Sequence, residues 1–450
     1  MSHRTHVCII GAGPAGASAA YFLARAGARV TLVDRANFPR DKTCGDFCSL
    51  RSILMLERMG IDLDSDFNSA DATTPAQTIR AIQMISPGGV RVTTSAEHTV
   101  FGGLPRVVAR YALDHAIVNA AIQAGVEFRP GLRAVGIEQN TELGLKQNTK
   151  QDNATVRVTF TTNTNATTST ESIEADFVIA CDGANSPTRR WLGQPEFATR
   201  HSAFAVRRYV SGLRLKAPDT IQIYYLRELL PFYGWVFPAG PGRANIGVGL
   251  PADRLRGPLN QHSATSHACG LREHLERFSK HPLVMDACEV PPDQTGPIHG
   301  HPLPFASGLR PTNSQLTVGR VLFAGDAAGL IHPLSGEGID FALESGELAA
   351  NAILETMQSE DASAAFAGYT RRCRERIVQP CERAYYGRFF LKHPRWLDRY
   401  FRGVLLADQR AARAGITAAA QLAGALFGTM PTIQKKLALR ATLPGWLSGL

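Results

Sequence analysis

The sequence of 450 residues has no apolar run near about 20 residues, the length that a membrane-spanning helix requires. Its eight cysteines show no metal-finger spacing, and no basic stripe with interleaved aromatic residues marks a nucleic-acid surface. The first motif starts at residue 7, which leaves no room for a cleaved leader peptide. These absences predict a cytoplasmic protein with reduced thiols, no bound metal and no nucleic-acid partner.

Charge is also sparse, because only 19% of the residues are charged while 44% are apolar. Such a composition is typical of a chain that buries a large core in about two or three domains. The net charge is +9, and the basic residues become denser towards the C-terminus. An anionic substrate or an acidic membrane surface fits this charge better than nucleic acid does.

A glycine motif at the start of the chain is the most informative feature. The apolar run Val7–Ile10 predicts a buried parallel strand, and it leads into Gly11-Ala12-Gly13-Pro14-Ala15-Gly16 and an Ala-rich helix. A second strand, Arg29–Val33, ends at Asp34. Gly11 permits the tight turn, Gly13 allows backbone amides to approach a pyrophosphate, and Gly16 allows close helix packing. Together with an acid placed to bind ribose hydroxyls, this order predicts a dinucleotide site.

Two later strands end in a similar way. Ala175–Cys181 breaks at Asp182-Gly183, and Val321–Ala324 ends at Gly325-Asp326, ahead of a helix from Ile339 to about Met357. An extended ligand such as FAD uses several strand ends at the carboxyl edge of one parallel sheet. A polar segment at about 139–170 predicts a solvated hairpin or loop, and residues 200–305 alternate as in a second, β-rich layer.

These motifs resemble those of flavoprotein oxidoreductases with the para-hydroxybenzoate hydroxylase fold, over about residues 5–370. The resemblance implies that Gly11, Gly13, Gly16 and Asp34 hold the ADP half of FAD and that Arg110 reaches its pyrophosphate. It also implies that the middle motif, Asp182-Gly183, contacts FAD and that Gly325-Asp326 binds its ribitol chain. The residues implied beside the flavin ring are Pro333, Gly336 and Gly338. Neighbouring positions are assigned to the cofactor with them: Ala15, Arg35, Cys44, Gly45, Glu337 and Ile339.

Two further segments are similar to one branch of that fold, the geranylgeranyl reductase family. Phe38–Asp46 is similar to its PxxKxCGG pattern, and Tyr233-Gly234-Trp235-Val236-Phe237-Pro238 with Gly247-Val248-Gly249 is similar to its YxWxFP…GxG pattern. In that family the cysteine and the aromatic segment line the substrate cavity at the flavin. The chain departs from the pattern at Asp46, where the family commonly has glycine. This departure leaves the substrate shape and the proton donor open.

The resemblance implies an α/β protein with a Rossmann-like FAD-binding domain, an interleaved β-rich substrate domain and a C-terminal helical region. The expected FAD-binding domain is discontinuous and covers residues 1–80, 100–195 and 310–370. Residues 81–99 and 196–309 are expected to form the substrate domain, and residues 371–450 a helical cap.

Cys44, Tyr233 and Trp235 are the candidate catalytic residues for the reduction of a C=C bond. Such a reduction requires a hydride donor and a proton source, and a thiol is mostly protonated at neutral pH. Cys44 is the first candidate donor, with Lys42 expected to stabilise its thiolate. Cys48 would be a second donor if a helix placed it on the same side. Tyr233 and Trp235, with Phe237, predict an apolar wall for a hydrophobic substrate, and the Tyr233 hydroxyl is a candidate to orient a carbonyl or relay a proton.

Other readings stay open at this point. An FAD-dependent monooxygenase or halogenase and a flavin-dependent non-redox cyclase are the alternatives to a reductase. No second GxGxxG follows, so NADPH, NADH or an electron-donor protein remain candidate electron sources. His299 and His301 have no partner cysteines and predict no metal site; His332 is read as a packed side chain, a base or a ring contact. The segment 395–450, with Trp396, Leu426-Phe427, Lys435-Lys436 and Trp446, predicts amphipathic helices that dock on the inner face of a membrane or cap the catalytic domain.

Overall fold

The computed structural model describes residues 4–67, 75–96, 104–140, 155–164, 167–255, 264–291, 296–309, 316–359 and 362–411. Its strands, numbered along the chain, are β1 (His6–Ile10), β2 (Arg29–Asp34), β3 (Phe47–Cys48), β4 (Gln77–Thr78), β5 (Ala81–Ile85), β6 (Arg91–Ser95), β7 (Arg106–Val107), β8 (Glu127–Pro130), β9 (Leu132–Asn140), β10 (Thr155–Thr164), β11 (Thr167–Ala175), β12 (Phe177–Ala180), β13 (Ser202–Ser211), β14 (Arg214–Leu215), β15 (Thr220–Tyr224), β16 (Gly234–Pro238), β17 (Arg243–Pro251), β18 (Cys288–Val290), β19 (His299–Pro304), β20 (Thr317–Val318) and β21 (Val321–Phe323).

The helices are α1 (Pro14–Arg25), α2 (Leu50–Arg58), α3 (Arg110–Gln123), α4 (Pro187–Trp191), α5 (Ala264–Ser279), α6 (Pro282–Met285), α7 (Ile339–Ser359), α8 (Ala362–Cys373), α9 (Gln379–Leu391) and α10 (Pro394–Ala411). A π-helical turn, Arg374–Val378, joins α8 to α9. Short 3₁₀ turns occupy Thr199–His201, Ala252–Arg254, Ala306–Gly308 and Gly325–Ala328.

A six-stranded sheet with the order β20-β21-β12-β1-β2-β8 forms the first layer. Its strands are parallel except for β20, and Ile9 at the centre is in register with Leu32 of β2 and Ile179 of β12. These strands are continuous apolar runs because helices cover both faces of such a sheet. The glycine loop after β1, the Asp182 loop after β12 and the Gly325 turn after β21 therefore meet at one edge.

Helices α1 and α7 pack against each other at unusually close range. A Cβ atom at Gly346 of α7 would overlap the carbonyl oxygen of Ala15 in α1, and Ser18 of α1 donates a hydrogen bond to the Leu343 carbonyl at 2.9 Å. Ala15 thus has a packing role in addition to its position in the glycine motif. This contact fixes the two helices that begin at the carboxyl edge of the sheet.

A seven-stranded sheet with the order β19-β13-β17-β16-β15-β5-β6 forms the second layer. It is antiparallel except for the β15–β5 pair, which is parallel. One face is covered by α5, whose Leu275 and Phe278 are buried, and the other face carries the aromatic side chains of the predicted wall. Smaller sheets are formed by β11-β10-β9, β14-β18 and β3-β7-β4.

The segment predicted as a solvated hairpin or loop contains an antiparallel pair. β10 and β11 pair from Val156↔Ala175 to Thr164↔Thr167, and β10 also pairs with β9. Residues 141–154 and 165–166 of that prediction lie outside the described residues. Val156, Val158 and Phe160 alternate inward and are fully buried, so this sheet adds to the core of the first layer.

The C-terminal helices pack on the second sheet through one face. Leu391 of α9 and Leu397, Phe401 and Val404 of α10 are buried, and the Phe401 ring meets Tyr225 edge-on with 6.1 Å between centroids. Within the described ranges, none of the helices is both long and apolar enough to cross a membrane. The predicted features at Leu426-Phe427, Lys435-Lys436 and Trp446 lie outside the described residues.

We propose the division into domains that the sequence suggested. All strands of the six-stranded sheet come from residues 1–80, 100–195 and 310–370, and all strands of the seven-stranded sheet come from residues 81–99 and 196–309. Part of the proposed cap, residues 412–450, is not among the residues that the structure describes. Limited proteolysis would test the proposed boundaries.

Candidate active site

The glycine loop has the geometry of an anion-binding turn at a helix N-terminus. Gly11 has φ 101°, and a Cβ there would overlap the Cys181 carbonyl oxygen, so only glycine fits. A Cβ at Gly16 would overlap the carbonyl oxygen of Gly11. At Gly13 the nearest atom to such a Cβ is the Nη2 of Arg40, 3.8 Å away, which leaves space above the first turn of α1. The N–H groups and helix dipole there favour a negatively charged group.

Asp34 at the end of β2 braces this loop. Its Oδ2 accepts a hydrogen bond from the Ala12 N–H and its Oδ1 one from the Ala36 N–H, both at 2.8 Å. Arg35, the next residue, is exposed at the surface. The carboxylate is therefore held beside the glycine loop, while Arg35 points away from the core.

The Asp182 loop meets the glycine loop from the neighbouring strand. Gly183 has φ 85°, and Asp182 Oδ2 accepts a hydrogen bond from the Thr188 N–H at 3.0 Å. Asp182 Oδ1 is buried and has no hydrogen-bond partner among the described residues, and burial raises the pKa of this carboxyl. A buried acceptor of this kind is suited to a hydroxyl or N–H group of a ligand.

Asp114 links two arginines, of which the sequence identified only one. Arg110, the first residue of α3, donates from Nε and Nη2 to Asp114 at 2.6 and 2.7 Å. Arg40 Nη1 lies 2.9 Å from Asp114 Oδ2. Arg40 is therefore the cation above the glycine loop, whereas Arg110 lies beside Cys44. This arrangement gives no direct support to the assignment of Arg110 to a pyrophosphate. Nothing in the sequence marked Arg40 as a ligand-binding residue, apart from its place in the segment Phe38–Asp46.

A charged cluster surrounds Asp326 after β21. Lys42 Nζ lies 2.9 Å from Asp326 Oδ2, and His301 Nε2 lies 3.5 Å from the same oxygen. Burial alone would raise the pKa of Asp326, but Lys42 and His301 outweigh that cost and lower it well below its usual range. The Lys42 ammonium group is therefore paired with a carboxylate, but its charge also acts to lower the pKa of the Cys44 thiol, so its expected part in stabilising the Cys44 thiolate stays a prediction.

His301 belongs to this cluster, and burial lowers its pKa, with Lys42 acting in the same direction. The described part of the chain contains no group of three or more His, Cys, Asp or Glu side chains placed to hold a metal ion. Gly325, with φ 61°, donates its N–H to the Ser345 hydroxyl at 2.9 Å and packs against Ala15. The turn is thus anchored to both α1 and α7.

The loop from His332 to Gly338 is held by its own hydrogen bonds. The His332 N–H donates to the Glu337 carbonyl at 2.8 Å, and the Gly336 N–H donates to the His332 carbonyl at 3.0 Å. His332 is buried, with its Nδ1 2.9 Å from the Ser335 hydroxyl, and Pro333 is buried beside it. His332 is therefore a packed residue of the loop, one of the roles that the sequence left open. Glu337 lies 3.3 Å from the same hydroxyl through Oε2, as a loop-positioning residue would.

One pocket connects these elements. Together with the solvent at its open mouth it encloses about 1040 Å³, and it extends from Pro14 at the start of α1 to the aromatic side chains of the second sheet. The predicted site residues that line it are Cys44, Gly45, Arg110, Tyr233, Trp235, Asp326, Gly336, Glu337, Gly338 and Ile339. Those outside its lining are Gly11, Gly13, Ala15, Gly16, Asp34, Arg35, Asp182, Gly183, Gly325 and Pro333.

Cys44 lies in the wall of this pocket, between the charged and the aromatic halves. Arg110 and the backbone N–H of Asp46 lie near its sulfur, where both favour the thiolate form. Burial raises the pKa of the thiol, and Arg110 opposes that shift. The thiol is therefore protonated at neutral pH, and its thiolate would have two stabilising donors in place.

Cys48 does not share this position. The prediction that a helix could place it beside Cys44 is wrong, because Phe47–Cys48 form strand β3, which pairs with β7. Its side chain is fully buried and lies outside the pocket lining, and burial raises its pKa strongly. A thiol without access to the pocket cannot deliver a proton there.

The aromatic wall consists of Tyr233, Trp235 and Phe237, which are exposed by 8%, 6% and 6%. The glycines of the GxG pattern explain their placement, because a Cβ at Gly247 would overlap the Trp235 ring and one at Gly249 would lie 2.6 Å from Phe232. Trp235 Nε1 donates to Asn245 Oδ1 at 3.0 Å. The Trp235 and Phe232 rings therefore pack directly against glycine backbone, and both residues line the pocket.

Tyr233 has a different polar role from the one that the sequence suggested. Its hydroxyl donates a hydrogen bond to the Ser335 carbonyl, which belongs to the His332–Gly338 loop. Burial raises the pKa of this phenol well above its ordinary value. With its proton held on a backbone carbonyl, Tyr233 is an anchor between the wall and the loop, and the expected carbonyl-orienting or proton-relay role has no geometric support.

The sequence of this chain is similar to those of known FAD-binding proteins. A family model described as FAD binding domain matches residues 4–229. The menaquinone reductase of Mycobacterium tuberculosis (strain CDC 1551 / Oshkosh) is 31% identical over 362 residues, which cover 79% of this chain and 77% of the relative. The chain belongs to the FAD-binding domain family. This FAD-binding protein is also 28% identical to digeranylgeranylglycerophospholipid reductase 1 of Methanopyrus kandleri, over 80% of this chain and 83% of the relative.

A solved structure supports the fold of this FAD-binding protein. The geranylgeranyl bacteriochlorophyll reductase-like protein of Thermoplasma acidophilum superposes with a TM-score of 0.72 at 21% identity, over 98% of this chain and all of the other. The para-hydroxybenzoate hydroxylase-type fold is thereby confirmed. The family model and the curated relatives confirm the resemblance to geranylgeranyl reductases and FAD as the cofactor. The protein is an FAD-dependent oxidoreductase.

Proposed function

We propose that this flavoprotein reduces a C=C bond in a prenyl chain or another hydrophobic substrate, with Cys44 as the proton donor. Two relatives of the chain are named as a menaquinone reductase and a digeranylgeranylglycerophospholipid reductase, and the second name denotes a substrate with long prenyl chains. The observation that carries the proposal is the position of the Cys44 thiol, in a pocket whose one side is charged and whose other side is aromatic.

The residues present fit FAD. Gly11, Gly13, Gly16 and Asp34 would hold its ADP half, with Arg40 above the loop and the unpartnered Asp182 Oδ1 nearby as an acceptor. Asp326 would contact the ribitol chain, and the loop containing Pro333, Gly336 and Gly338 would lie beside the ring. Most of the remaining assigned residues would line or support the same site: Ala15, Gly45, Asp182-Gly183, Gly325, Glu337 and Ile339. Arg35 is exposed next to Asp34, so its assignment to the ADP half rests on the resemblance alone. When bound and reduced, FAD supplies the hydride.

The chain itself supplies orientation and a proton. Trp235 and Phe237 give the alkene a flat apolar surface, and Tyr233 ties that surface to the His332–Gly338 loop. The Cys44 sulfur donates the proton to the second alkene carbon, and the Arg110 guanidinium and the Asp46 N–H stabilise the thiolate that remains. An isolated alkene has no polar handle, so its position relative to Cys44 depends on the aromatic wall.

Anaerobic turnover tests the proposal directly. The protein, reduced with dithionite, is incubated with polyprenyl compounds, and mass spectrometry measures the gain of two hydrogens. We expect that gain without O2, and only with the reductant. A product that forms only with O2 would favour a monooxygenase or halogenase, and a product that forms with oxidised flavin and no electrons would favour a non-redox cyclase.

We also propose that the electrons come from NADPH, NADH or a donor protein that binds transiently. A second glycine motif of the GxGxxG type is missing from the sequence, which favours transient binding over a built nicotinamide site. Stopped-flow reduction with each donor under anaerobic conditions separates the three sources. Dithionite in the turnover assay bypasses this step, so an incorrect donor assignment leaves that assay unaffected.

We further propose that the protein docks on an anionic membrane surface through an aromatic patch, defined as Tyr386, Phe389, Phe390 and Trp396. These side chains are exposed by 77%, 58%, 49% and 52%, although the opposite faces of α9 and α10 are buried. Exposed cations surround the patch: Arg383, Lys392, Arg395, Arg399 and Arg402. Exposed aromatic rings with basic neighbours are typical of helices that lie at a lipid interface, and a prenyl lipid would enter from that interface.

Vesicle co-sedimentation tests this docking. Replacing Phe389 and Trp396 together by serine should lower the bound fraction on anionic vesicles by about tenfold, since each ring loses its insertion into the interface. Leu54→Ser with Ile122→Ser is the matched control, because these exposed apolar residues lie on α2 and α3. Equal sedimentation of both double variants, or no sedimentation of the unaltered protein, would remove the membrane from the proposal.

A further inference from the structure

A second pocket, at the C-terminal end of α9, is lined mainly by cations. Arg227, Arg254, Arg388 and Lys392 line it, and Asp253 is the only acidic side chain among the described residues of its lining. That lining includes none of the residues assigned to FAD or to the alkene. We call it the basic pocket. Because four cationic groups face one carboxylate, the pocket has a positive potential that attracts an anion.

Arg388 is the buried cation of the basic pocket. It is exposed by only 6%, and its Nε has no hydrogen-bond partner among the residues that the structure describes. Burial lowers the pKa of its guanidinium, and Tyr385 and Asp253 only partly oppose that shift, yet an arginine stays charged at neutral pH. A buried cation with an unpaired donor costs free energy, and an anion bound beside it offsets that cost.

Aromatic rings hold the Arg388 guanidinium in place. Its Cζ lies 5.7 Å from the ring centre of Phe232, 5.3 Å from that of Phe305 and 5.2 Å from that of Tyr385. Phe232 also lines the pocket that contains Cys44. A guanidinium held on aromatic faces keeps its planar set of N–H donors in a fixed direction, and such a set matches two oxygens of a phosphate group. The guanidinium is therefore preorganised for an anion in the basic pocket.

The basic pocket lies next to the aromatic patch that is proposed to dock on a membrane. Phe389 and Phe390 of that patch follow Arg388 directly in α9. Lys392 lines the basic pocket and is also one of the exposed cations around the patch. On a protein docked through the patch, the rings would rest at the boundary of headgroups and acyl chains. The basic pocket would then lie beside the phosphates of the lipid headgroups.

We propose that the basic pocket binds the phosphate monoester of a membrane lipid, with Arg388 as the main contact. The proposal rests on the proposed docking of the protein on a membrane. A phosphate monoester carries about −1.5 to −2 charges at neutral pH and has three acceptor oxygens, which suits several cations around one site. Arg388 binds two of these oxygens, and Arg227, Arg254 and Lys392 surround the group.

Calorimetry with a water-soluble lipid tests the pocket without a membrane. Dihexanoyl phosphatidic acid, below the concentration at which it forms micelles, is titrated into the full-length protein with FAD bound. We expect Arg388→Gln to weaken binding by about tenfold or more, because a charged hydrogen-bond donor is lost. Arg371→Gln removes one exposed cation from α8 and is the matched control, which should bind as the unaltered protein does. Equal affinities of Arg388→Gln and the unaltered protein would overturn the proposal.

A second variant separates the loss of the ligand from a loss of packing in Arg388→Gln. Arg227→Gln with Lys392→Gln changes two exposed side chains of the same lining, so the fold should stay intact. It should also weaken binding of the soluble lipid by about tenfold, since two cations near the phosphate are lost. Full affinity in this double variant would contradict the proposal.

Inorganic phosphate distinguishes a lipid from a free anion. It should bind at least about tenfold more weakly than dihexanoyl phosphatidic acid, because it lacks chains that contact the aromatic patch. An affinity equal to that of the lipid would assign the pocket to free phosphate and overturn the lipid assignment.

Vesicles connect the basic pocket to the docking surface. The unaltered protein should sediment more strongly with vesicles that contain phosphatidic acid than with phosphatidylserine vesicles of equal surface charge. Arg388→Gln should lose that preference and still bind both, because the aromatic patch is unchanged. If the unaltered protein sediments with neither, the docking proposal fails, while calorimetry with the soluble lipid still tests the pocket. A preference that persists in Arg388→Gln would disprove the role of Arg388.

Discussion

Cys44→Ser should leave the protein yellow and lower alkene reduction by about a hundredfold or more, the scale expected when a general acid is lost. A serine hydroxyl is a far weaker acid than a thiol, and the two donors around the Cys44 sulfur, Arg110 and the Asp46 N–H, are arranged for a thiolate. The change is small and lies in the pocket wall, so bound FAD should stay stoichiometric. Flavin absorbance of the purified variant and its anaerobic turnover are the two measurements.

Cys48→Ala is the matched control for this result. Cys48 is four residues away, fully buried in β3 and outside the pocket lining, so its loss should reduce stability more than activity. Turnover by Cys44→Ser at the rate of the unaltered protein would move the proton donor to water or another group. A large loss in Cys48→Ala with the fold intact would contradict the assignment in the opposite way.

Asp326→Ala should yield a nearly colourless protein. This carboxylate is held in its ionised form by Lys42 and His301, at the end of β21 where the ribitol chain is assigned. Its removal takes away the acceptor for ribitol hydroxyls and leaves the Lys42 ammonium unpaired in the pocket. We expect FAD content to fall by about tenfold or more, a difference that the ratio of flavin to protein absorbance measures directly.

Two further variants make the Asp326 result specific. Asp326→Asn keeps a carbonyl oxygen and the volume, and it should retain more FAD than the alanine variant. Asp286→Ala removes an exposed carboxylate paired with Arg91 and Lys216, and it should bind FAD fully. Stoichiometric FAD in Asp326→Ala would show that another group holds the ribitol chain.

The sequence predicted the elements that local pattern determines. The strand, glycine loop, helix and terminal acid of residues 7–34 are adjacent along the chain, and the structure has β1, α1 and β2 in that order. The strand ends at Asp182 and Asp326 were found in the same way, because apolar runs that break at Gly-Asp or Asp-Gly mark the edge of a parallel sheet. The helix expected from Ile339 to about Met357 extends from Ile339 to Ser359.

The partners of the site residues were not predictable from local pattern. Lys42 and Asp326 are 284 positions apart, and Asp46 and Tyr209 are 163 apart. The prediction for Cys48 failed because helical spacing was assumed where the chain forms a short strand with β7. Arg40 and Asp114 were missed because their meeting depends on how α3 packs against the loop after β2. Only tertiary structure brings such groups together.

The aromatic rings pack directly against glycine residues, and this close packing limits how the size of the substrate pocket can change in evolution. Trp235 lies against Gly247 and Phe232 against Gly249, while Phe237 lies close to Gly45. Any side chain added beneath these rings would push them into the chamber and narrow it. Room for bulkier molecules must therefore come from replacing the rings by smaller side chains or from changing other lining residues, such as Leu303 and Ile331.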